Sequence, residues 1–564
     1  MQQQKLSSFA AIPLPLIWLL ACYFVAYRLG AYAVLDNNEG LYAEISREML
    51  HSAKWENWII PHLNGLAYME KPPLLYWLTA SALALFGEHE WVVRLSPALS
   101  CLGCVGLLLW FGRRVGLPAV GQFAAVVFVS SLGVTAMART LMFDMLLTFF
   151  LTGAVMHAYL YIEQQQRAAL YRAMALLAGA LLAKGFVALI LFSAIMGSYL
   201  LSCAKSPADF LARLRRCLDW RGLLVFFALA APWHLAAMLT EPIFTWFYFI
   251  NEHVLRFLGK REPHDYYAGA WWYYLPRMIA FLFPWSLLLP VLLLRRPVDP
   301  AVAAAVGTTA PRSLQRFLLL AWLMPLVFFS ISSAKANYYL VVVMPLAAMQ
   351  LATLLAARWP SRRLAWLPGC LGAALFAAIL WHFERLDISQ IGPLAGWPAA
   401  DFLRAALGVL LLASLAASAL ASRSARLTWY AYLLIPLLSL PLLLQVLAGL
   451  DTQTSTRALV DQLQRQAPAR EVLLYRVFEQ QSSLPFYLKR AVRIVDSRSN
   501  DLFWGNKLHK NKIVIDDAAF VALAQTQTVD LLVLEEDLPD FQQKNYFTRF
   551  KSTRQVGKTW VFSN

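Results

Sequence analysis

Charged residues are scarce in this chain, since Asp, Glu, Lys and Arg make up 15% of its 564 residues. In soluble globular proteins their share is about a quarter. Hydrophobic residues reach 59%, so too little polar sequence is present to cover a soluble protein of this size. The composition therefore excludes a soluble globular enzyme and indicates a protein that lies largely within a lipid bilayer.

Cysteine is also rare, and all six cysteines lie in or beside apolar segments. Cys101 and Cys104 have the spacing of half a zinc knuckle, but no second pair accompanies them. We interpret the cysteines as small core residues. We expect neither a redox cofactor nor a bound nucleotide.

Alternation of apolar and polar residues, which is typical of transmembrane barrel strands, is missing as well. Apolar residues instead form blocks of about 18–22, the length of a helix that crosses a bilayer. The fold class predicted is an all-α polytopic membrane protein, with the run 9–27 as an uncleaved first span. Thirteen spans are predicted near residues 10–30, 91–112, 119–137, 142–162, 172–185, 186–202, 222–240, 277–295, 315–333, 338–356, 364–382, 402–421 and 428–449.

The net charge of +16 follows the topology of these spans. Lys and Arg collect in cytoplasmic loops of membrane proteins, and with the N-terminus inside, every cytoplasmic loop carries at least two cations. We therefore expect no nucleic-acid partner. In the segment 172–202, Lys184-Gly185 either separates two short helices or interrupts one. The loop cations are Arg113, Arg114, Arg167, Arg172, Lys205, Arg213, Arg215, Arg216, Arg221, Arg295, Arg296, Arg312, Arg316, Arg358, Arg362, Arg363, Arg423 and Arg426.

The first loop on the opposite side, residues 31–90, contains eight acidic residues. Its segment 39–51 has the spacing of an amphipathic helix and is predicted to lie on the membrane surface. Glu44, Glu48 and Glu56 are interpreted as a solvated polar face. The apolar stretch 73–86 is too short for a span and is predicted to be interfacial.

The composition changes after residue 450. Short β-like runs at 471–477, 491–495, 530–534 and 559–562 alternate with helical stretches. We predict that residues 1–450 form a transmembrane domain and that residues 451–564 form a small α/β domain on the periplasmic side.

Three carboxylates lie where lipid makes an unpaired charge costly. Asp36 and Glu39 follow the first predicted span, and Asp144 lies just inside the outer end of the fourth. A buried carboxylate in a membrane indicates a functional residue. The alternative for Asp144 is a structural ion pair with Arg139, five residues earlier.

Three cations lie on the side of the membrane where the topology does not require them: Lys71, Arg256 and Lys335. Anionic phosphates at the membrane surface would explain all three, and the planar guanidinium of Arg256 matches phosphate oxygens. The alternative for Lys335 is an anchor whose ammonium reaches the interface. His253 is either a metal ligand or an interfacial hydrogen-bonding residue.

The motifs Glu39-x-x-Tyr42-Ala-Glu-Ile-Ser-Arg-Glu-Met49, Ile60-Pro-His-Leu-Asn-Gly65 and Tyr68-Met-Glu70-Lys71-Pro72 resemble the first periplasmic loop of the aminoarabinose lipid A transferases. These are glycosyltransferases of the GT-C fold that use lipid phosphosugars. The Asp144 segment, Glu252-His253-x-x-Arg256-Phe and Lys335-x-x-x-Tyr339 are similar to later elements of that family. The family usually has Asp-Glu where this chain has Asn38-Glu39, with Asp36 two residues upstream.

The resemblance implies transfer of 4-amino-4-deoxy-L-arabinose from undecaprenyl phosphate to a lipid A phosphate, at the periplasmic face of a bacterial inner membrane. It implies catalytic roles for Glu39 and Asp144, with Asp36 as a substitute for the missing aspartate. It also implies a divalent metal, zinc or similar, at Glu70 and His253. The lipid-phosphate cavity would be lined by Lys71, Arg256, Lys335, Tyr42, Tyr68 and Tyr339.

The implied partners are the undecaprenyl-phosphate sugar, lipid A or a related acceptor, and membrane lipids, with the protein itself a monomer. One alternative is the same fold transferring another sugar to a hydroxyl of lipopolysaccharide core, another glycan or a protein. A hydroxyl acceptor would need a carboxylate base, whereas a phosphate acceptor is already anionic. Two further alternatives catalyse no glycosyl transfer: a lipid-phosphate flippase and an assembly scaffold.

Overall fold

The computed structural model describes residues 12–264, 269–294, 310–357, 364–423, 428–466 and 470–564, and structural statements below refer to these ranges. Helices dominate the chain as far as residue 466. Six of the predicted loop cations lie outside the described residues: Arg295, Arg296, Arg358, Arg362, Arg363 and Arg426.

Within the described residues, seven helices are long and apolar enough to cross a membrane, and two bent pairs raise the number to nine. The pairs are Pro118–Ser130 with Leu132–Ala138, bent by 69°, and Tyr274–Phe281 with Trp285–Leu294, bent by 101°. The seven are Leu95–Arg114, Phe143–Gln164, Trp220–Thr240, Arg312–Ile331, Asn337–Ala357, Ala399–Arg423 and Tyr430–Gly449.

Shorter or more polar helices account for the other predicted spans. The cations Arg167, Arg172 and Lys184 make one of them, Arg167–Lys184, less apolar than the seven. Each of the thirteen predicted windows coincides with a helix or a bent pair of helices. Only seven to nine of these, within the described residues, are long and apolar enough to cross a membrane. The shorter apolar helices are Leu14–Ala26, Leu74–Phe86, Val187–Cys203 and Leu367–Trp381.

The first loop forms the predicted helix, Asn38–His51, but this helix does not lie on a surface. Ten of its fourteen residues are buried, including Glu44, which pairs with Arg47 at 2.7 Å. A side chain at Gly40 would approach the hydroxyl oxygen of Ser482 to 2.6 Å, so glycine permits the close contact with the C-terminal region. The interpretation of Glu44 as solvated is therefore wrong, whereas Glu56 is exposed.

The rest of the first loop also packs against the C-terminal region. After a 3-10 turn at Trp55–Trp58, strands β1 (His62–Leu63) and β2 (Leu66–Ala67) form a hairpin. Asn64 and Gly65 take the positive φ values that a tight hairpin turn requires. The Asn64 side chain donates to the carbonyl of Val492 at 2.8 Å and accepts from its N–H at 2.7 Å.

The segment 172–202 is two helices, Arg167–Lys184 and Val187–Cys203, rather than one interrupted helix. Gly185 lies between them with φ +84°, a conformation that ends a helix and favours glycine. A π-helix, Trp246–Leu255, follows the helix Trp220–Thr240. The remaining short helices of this region are Glu90–Val93, Pro207–Cys217 and Phe383–Arg385.

The C-terminal region contains a six-stranded sheet in the order β5-β4-β3-β6-β8-β7. Its first four strands in that order pair in parallel, and β8 and β7 continue it antiparallel. The four predicted strands are present, while β5 and β7 escaped prediction because they are short or carry few buried residues. The strands are β3 (Glu471–Tyr475), β4 (Arg493–Val495), β5 (Val514–Ile515), β6 (Val529–Leu534), β7 (Ser552–Val556) and β8 (Thr559–Ser563).

Helices accompany this sheet, and the apolar side chains between them form a separate small core around Phe520, Phe541 and Phe562. These helices are Asp451–Thr454, Arg457–Gln466, Leu484–Leu488, Phe503–Leu508, Asp517–Thr526 and Leu538–Phe541.

Candidate functional site

A cavity of about 760 Å³ lies between the first loop, the ends of several long helices and the C-terminal region. Its volume is within the range of small-molecule sites. One part of its lining is apolar and includes Leu189, Ile190, Phe249, Phe257 and Phe328. The other part is charged and includes Glu70, Lys71, Asp144, Lys184, Glu252, Arg256, Arg261, Glu479 and Asp501.

Asp144 reaches this cavity from the first turn of the helix Phe143–Gln164 and forms an ion pair with Lys184. Lys184 is the last residue of its helix, which ends at Gly185 with φ +84°. The ammonium nitrogen of Lys184 also lies 4.6 Å from the ring centre of Tyr339. Because both charges of the pair are largely buried, each depends on the other.

The alternative partner for Asp144 is wrong, because Arg139 faces the other way. Its guanidinium donates to backbone carbonyls at the end of the first apolar helix, where unpaired acceptors remain. These carbonyls belong to Phe24, Val25, Tyr27 and Arg28.

A second charged group surrounds Arg261, which the sequence did not single out. Its guanidinium joins two carboxylates, Glu70 at 2.6 Å and Glu252 at 2.5 Å. The ammonium of Lys71 lies 3.7 Å from each of these carboxylates, and Arg256 lies 3.1 Å from Glu252. Three cations, Lys71, Arg256 and Arg261, thus cluster around two carboxylates in this part of the cavity.

The charges around Glu252 also fix its ionisation. Burial alone would raise the pKa of Glu252, but the charges of Arg261, Lys71 and Arg256 outweigh burial and hold the pKa below its ordinary value. Glu252 is therefore a stable anion at neutral pH. It aligns the cations while leaving the side chains of Lys71 and Arg256 partly open to the cavity.

Glu70 and His253, the expected metal pair, do not fit a divalent metal. The Nδ1 of His253 donates to the carbonyl of Tyr248 at 2.5 Å, and Nε2 accepts the N–H of Phe186 at 3.1 Å. Burial lowers the pKa of His253, which keeps the ring neutral. Glu70 is held by Arg261, and no group of three His, Cys, Asp or Glu side chains converges anywhere in the described ranges.

The three tyrosines that the resemblance pointed to all line the cavity. The hydroxyl of Tyr42 donates to Asn38 at 3.0 Å, and that of Tyr68 donates to Glu70 at 3.3 Å. Tyr339 lies beside Lys184. Tyr68 thus contacts the group around Arg261, and Tyr339 contacts the pair of Asp144 and Lys184.

Two of the candidate acids are elsewhere. Glu39 is buried against Arg94, which donates to both of its oxygens at 2.8 and 2.9 Å. Glu39 also accepts the N–H groups of Leu35 and Leu141. Among the described residues that line the cavity, Glu39 is absent, and its contacts join the first loop to the neighbouring helices instead.

Asp36 is likewise turned away from the cavity. It accepts from the N–H and hydroxyl of Ser483 at 3.1 and 2.7 Å, and Lys558 lies 3.3 Å away. Burial raises the pKa of Asp36 to about 6 in spite of these partners. Its place in the fold is the contact between the first loop and the C-terminal region.

Lys335 also differs from its expected role as a phosphate ligand. Its ammonium donates to the carbonyls of Phe329, Ser330 and Ser332 at the end of the helix Arg312–Ile331. It therefore satisfies acceptors that a helix end leaves unpaired. Its neighbours Ser332 and Ala334 line the cavity, but Lys335 does not do so in the part of the chain described.

Sequence reasoning missed Lys184, Glu252, Arg261, Glu479 and Asp501, all of which line the cavity. A signal existed for Lys184, a lysine followed by glycine inside an apolar run. Glu252 stood inside a quoted motif without a role. The other three lie in polar segments where nothing in the sequence distinguishes them from solvated residues.

Comparison with known proteins gives a consistent picture. A family profile described as dolichyl-phosphate-mannose-protein mannosyltransferase matches residues 70–236. An undecaprenyl phosphate-alpha-4-amino-4-deoxy-L-arabinose arabinosyl transferase 2 of Pseudomonas fluorescens strain Pf-5 is 30% identical over 433 residues, covering 71% of this chain and 70% of the relative. The transferase 1 of the same strain is 31% identical over 344 residues. This match covers 60% of the present chain and 58% of the length of that relative.

The fold is also known from solved structures. The crystal structure of ArnT from Cupriavidus metallidurans bound to undecaprenyl phosphate matches with a TM-score of 0.80 at 23% identity, over 97% of both chains. The apo state of that protein gives a TM-score of 0.76 over the same shares. At this identity the likeness establishes a common fold.

Proposed function

The chain belongs to the family of undecaprenyl phosphate-alpha-4-amino-4-deoxy-L-arabinose arabinosyl transferases, and from this premise we propose that it is a glycosyltransferase of the same kind. The proposed donor is 4-amino-4-deoxy-L-arabinose carried on undecaprenyl phosphate, and the proposed acceptor is a phosphate of lipid A. The family name of the relatives supports the donor. The acceptor follows from the resemblance of the first loop.

The same proposal includes the membrane arrangement. We place the protein in a bacterial inner membrane with thirteen spans in residues 1–450, and with residues 451–564 and the cavity on the periplasmic side. The cations in alternate loops support this orientation. The helix positions are compatible with this arrangement, because each of the thirteen predicted windows contains a helix or a bent pair of helices.

The observation that carries the proposal is the cluster of Lys71, Arg256 and Arg261 in a cavity that also has apolar side chains in its lining. A polyprenyl phosphate has the complementary shape, an anionic head on an apolar chain. Lys71 and Arg256 would contact the phosphate oxygens, since both are partly open to the cavity and Glu252 holds Arg256 in place. Phe249, Phe257 and Phe328 offer an apolar surface to the first isoprene units.

The chemistry then follows from the charges. The bond between the anomeric carbon and the lipid phosphate breaks, and its electron pair leaves with undecaprenyl phosphate, whose charge Lys71 and Arg256 stabilise. A new bond forms between that carbon and an oxygen of the acceptor phosphate. This oxygen is already anionic, so no strong base is required. Asp144, held by Lys184, would stabilise positive charge that develops on the sugar ring.

The test uses purified protein, undecaprenyl phosphate-aminoarabinose and lipid A, with mass spectrometry of the product. We expect lipid A to gain one aminoarabinose on a phosphate. Lys71→Met should weaken binding of undecaprenyl phosphate by about 10- to 100-fold, because a charged hydrogen bond contributes about 1.5–3 kcal/mol. Lys54→Met makes the same substitution at an exposed position of the same loop, and it should bind normally.

Other products would redirect the proposal. A pentose attached to core sugar or protein, with lipid A unmodified, would identify a hydroxyl acceptor. Transport of the donor across vesicles without any new bond would replace the enzyme by a flippase. Equal binding by Lys71→Met and Lys54→Met would remove Lys71 from the phosphate site.

A further inference from the structure

Asp501 is a cavity-lining carboxylate contributed by the C-terminal region, just before the helix Phe503–Leu508. Its position is fixed by the backbone rather than by its side chain. The Asp501 N–H donates to Oε1 of Glu479 at 2.9 Å, and the hydroxyl of Ser499 donates to the same oxygen at 2.6 Å. The turn that presents Asp501 is therefore held from both sides.

The carboxylate of Asp501 is held less directly than the other acids of the cavity, since the cations Arg261 and Lys71 act on it only at longer range. It forms no hydrogen bond or ion pair with any residue in the described ranges. Glu70 and Glu252 are paired with Arg261, and Asp144 is paired with Lys184. The carboxylate of Asp501 lines the cavity without a direct side-chain partner, so it is available to a ligand bound there.

The surroundings of Asp501 favour a cation in that place. Burial raises the pKa of Asp501 well above its ordinary value and the charges of Glu70 and Glu479 raise it further, whereas the charges of Arg261 and Lys71 offset only part of this rise. These surroundings disfavour the negative charge of Asp501, and a cationic group beside the carboxylate would stabilise it.

Asp501 is also within reach of the proposed reaction centre. Burial raises the pKa of Tyr42 well above its ordinary value, and the charges of Asp501 and Asp144 both add to the rise. The side chains of Tyr42, Asp144 and Asp501 line the same cavity. A sugar ring beside Tyr42 can present its anomeric carbon towards Asp144 and a substituent on its far side towards Asp501.

We propose that the carboxylate of Asp501 binds the ammonium group of the donor sugar and so selects an amino sugar over its hydroxyl analogue. This inference rests on the proposed function, and it adds the residue that distinguishes one sugar from another. An aliphatic amine is a cation at neutral pH. The donor then carries opposite charges at its two ends, with the phosphate on Lys71 and Arg256 and the ammonium on Asp501.

The test compares two donors, undecaprenyl phosphate-aminoarabinose and undecaprenyl phosphate-arabinose, in which a hydroxyl replaces the amine. Asp501→Asn should lower kcat/KM for the amino donor by about 10- to 100-fold, mainly through KM, as expected for the loss of a charged hydrogen bond. The hydroxyl donor should change less than about twofold, since it has no charge to lose. Binding of undecaprenyl phosphate alone should remain normal.

Two further variants sharpen the result. Asp461→Asn makes the same chemical change at an exposed helix position of the C-terminal region, and it should leave the preference intact. Asp501→Glu keeps the charge and should retain most of the preference. If Asp501→Asn does not fold, Asp501→Ser is compared with the same two donors.

The inference is overturned if Asp501→Asn loses activity equally on both donors, or if it keeps the wild-type preference for the amine. A wild-type protein that transfers both sugars equally well would also overturn it. A wild-type protein that transfers neither sugar would instead refute the proposed function, so the two failures are distinguishable.

Discussion

Replacing Asp144 by asparagine removes the carboxylate that faces Lys184 and leaves a buried ammonium without its counter-charge. The side chain of Asp144 is 2% exposed and that of Lys184 is 13% exposed. Loss of one partner from a buried ion pair costs about 3–5 kcal/mol of stability. The ring of Tyr339, 4.6 Å from the ammonium, offsets part of this loss, so we expect a cost near the lower end, about 3 kcal/mol.

A second substitution separates stability from chemistry. Lys184→Met in the Asp144→Asn background removes the unpaired charge and replaces it with an apolar side chain of similar length, so most of the lost stability should return. Transfer should not return, because the carboxylate near the sugar is still missing. We expect the turnover of Asp144→Asn and of the double variant to fall about 100-fold or more. This is the range for loss of a group that stabilises charge in the transition state.

The measurement is the melting temperature in detergent and the transfer rate on the same purified samples, for the wild type, both single variants and the double variant. Binding of undecaprenyl phosphate should be retained throughout, because Lys71 and Arg256 are unchanged. If activity returned together with stability in the double variant, Asp144 would serve only to neutralise Lys184. That result would refute its proposed role in the reaction.

Two other predictions address the first loop and the topology. Asp36→Asn should leave transfer intact but should change the pH dependence of stability. The wild-type carboxyl of Asp36 has a pKa of about 6 against an ordinary value of 3.8. The contribution of Asp36 to the free energy of unfolding therefore falls by on the order of 3 kcal/mol as pH rises from about 4 to about 6. The melting temperature of the wild type relative to Asp36→Asn should therefore decline across that window, and parallel curves, or an inactive variant, would contradict the prediction. A reporter fused after residue 450 should be active only outside the cytoplasm, because the loop cations place that residue outside; a cytoplasmic signal would contradict the thirteen-span arrangement.

Periodicity and composition predicted the helices well, since an apolar run leaves a chain in lipid few choices besides helix. They predicted the environment of the first loop poorly. The helix Asn38–His51 has the pattern of a surface helix, yet the C-terminal region packs against it at Gly40. A contact between residues more than 400 positions apart leaves no trace in a local pattern.

The sequence predicted those site residues whose charge is unusual for their position in a membrane protein. Asp144, Lys71 and Arg256 are charges in unexpected places, and all three line the cavity. Glu39 and Lys335 are equally unexpected charges, but they satisfy a buried arginine and a helix end. A single sequence cannot separate these two groups, because a structural partner and a ligand satisfy a buried charge by the same physics.

The C-terminal region contributes to the cavity as directly as the first loop does, although the change in composition at residue 450 suggests a separate unit. Glu479 and Asp501 line the cavity, and the two segments that carry them lie against the first loop through Asp36 and Asn64. An acid on this region meets the sugar end of the proposed donor, whereas cations from the membrane-proximal loops meet its phosphate. Under the proposed function, selection of the sugar and binding of the lipid depend on different parts of the chain, so we expect substitutions at Asp501 to alter the sugar preference without weakening the binding of undecaprenyl phosphate.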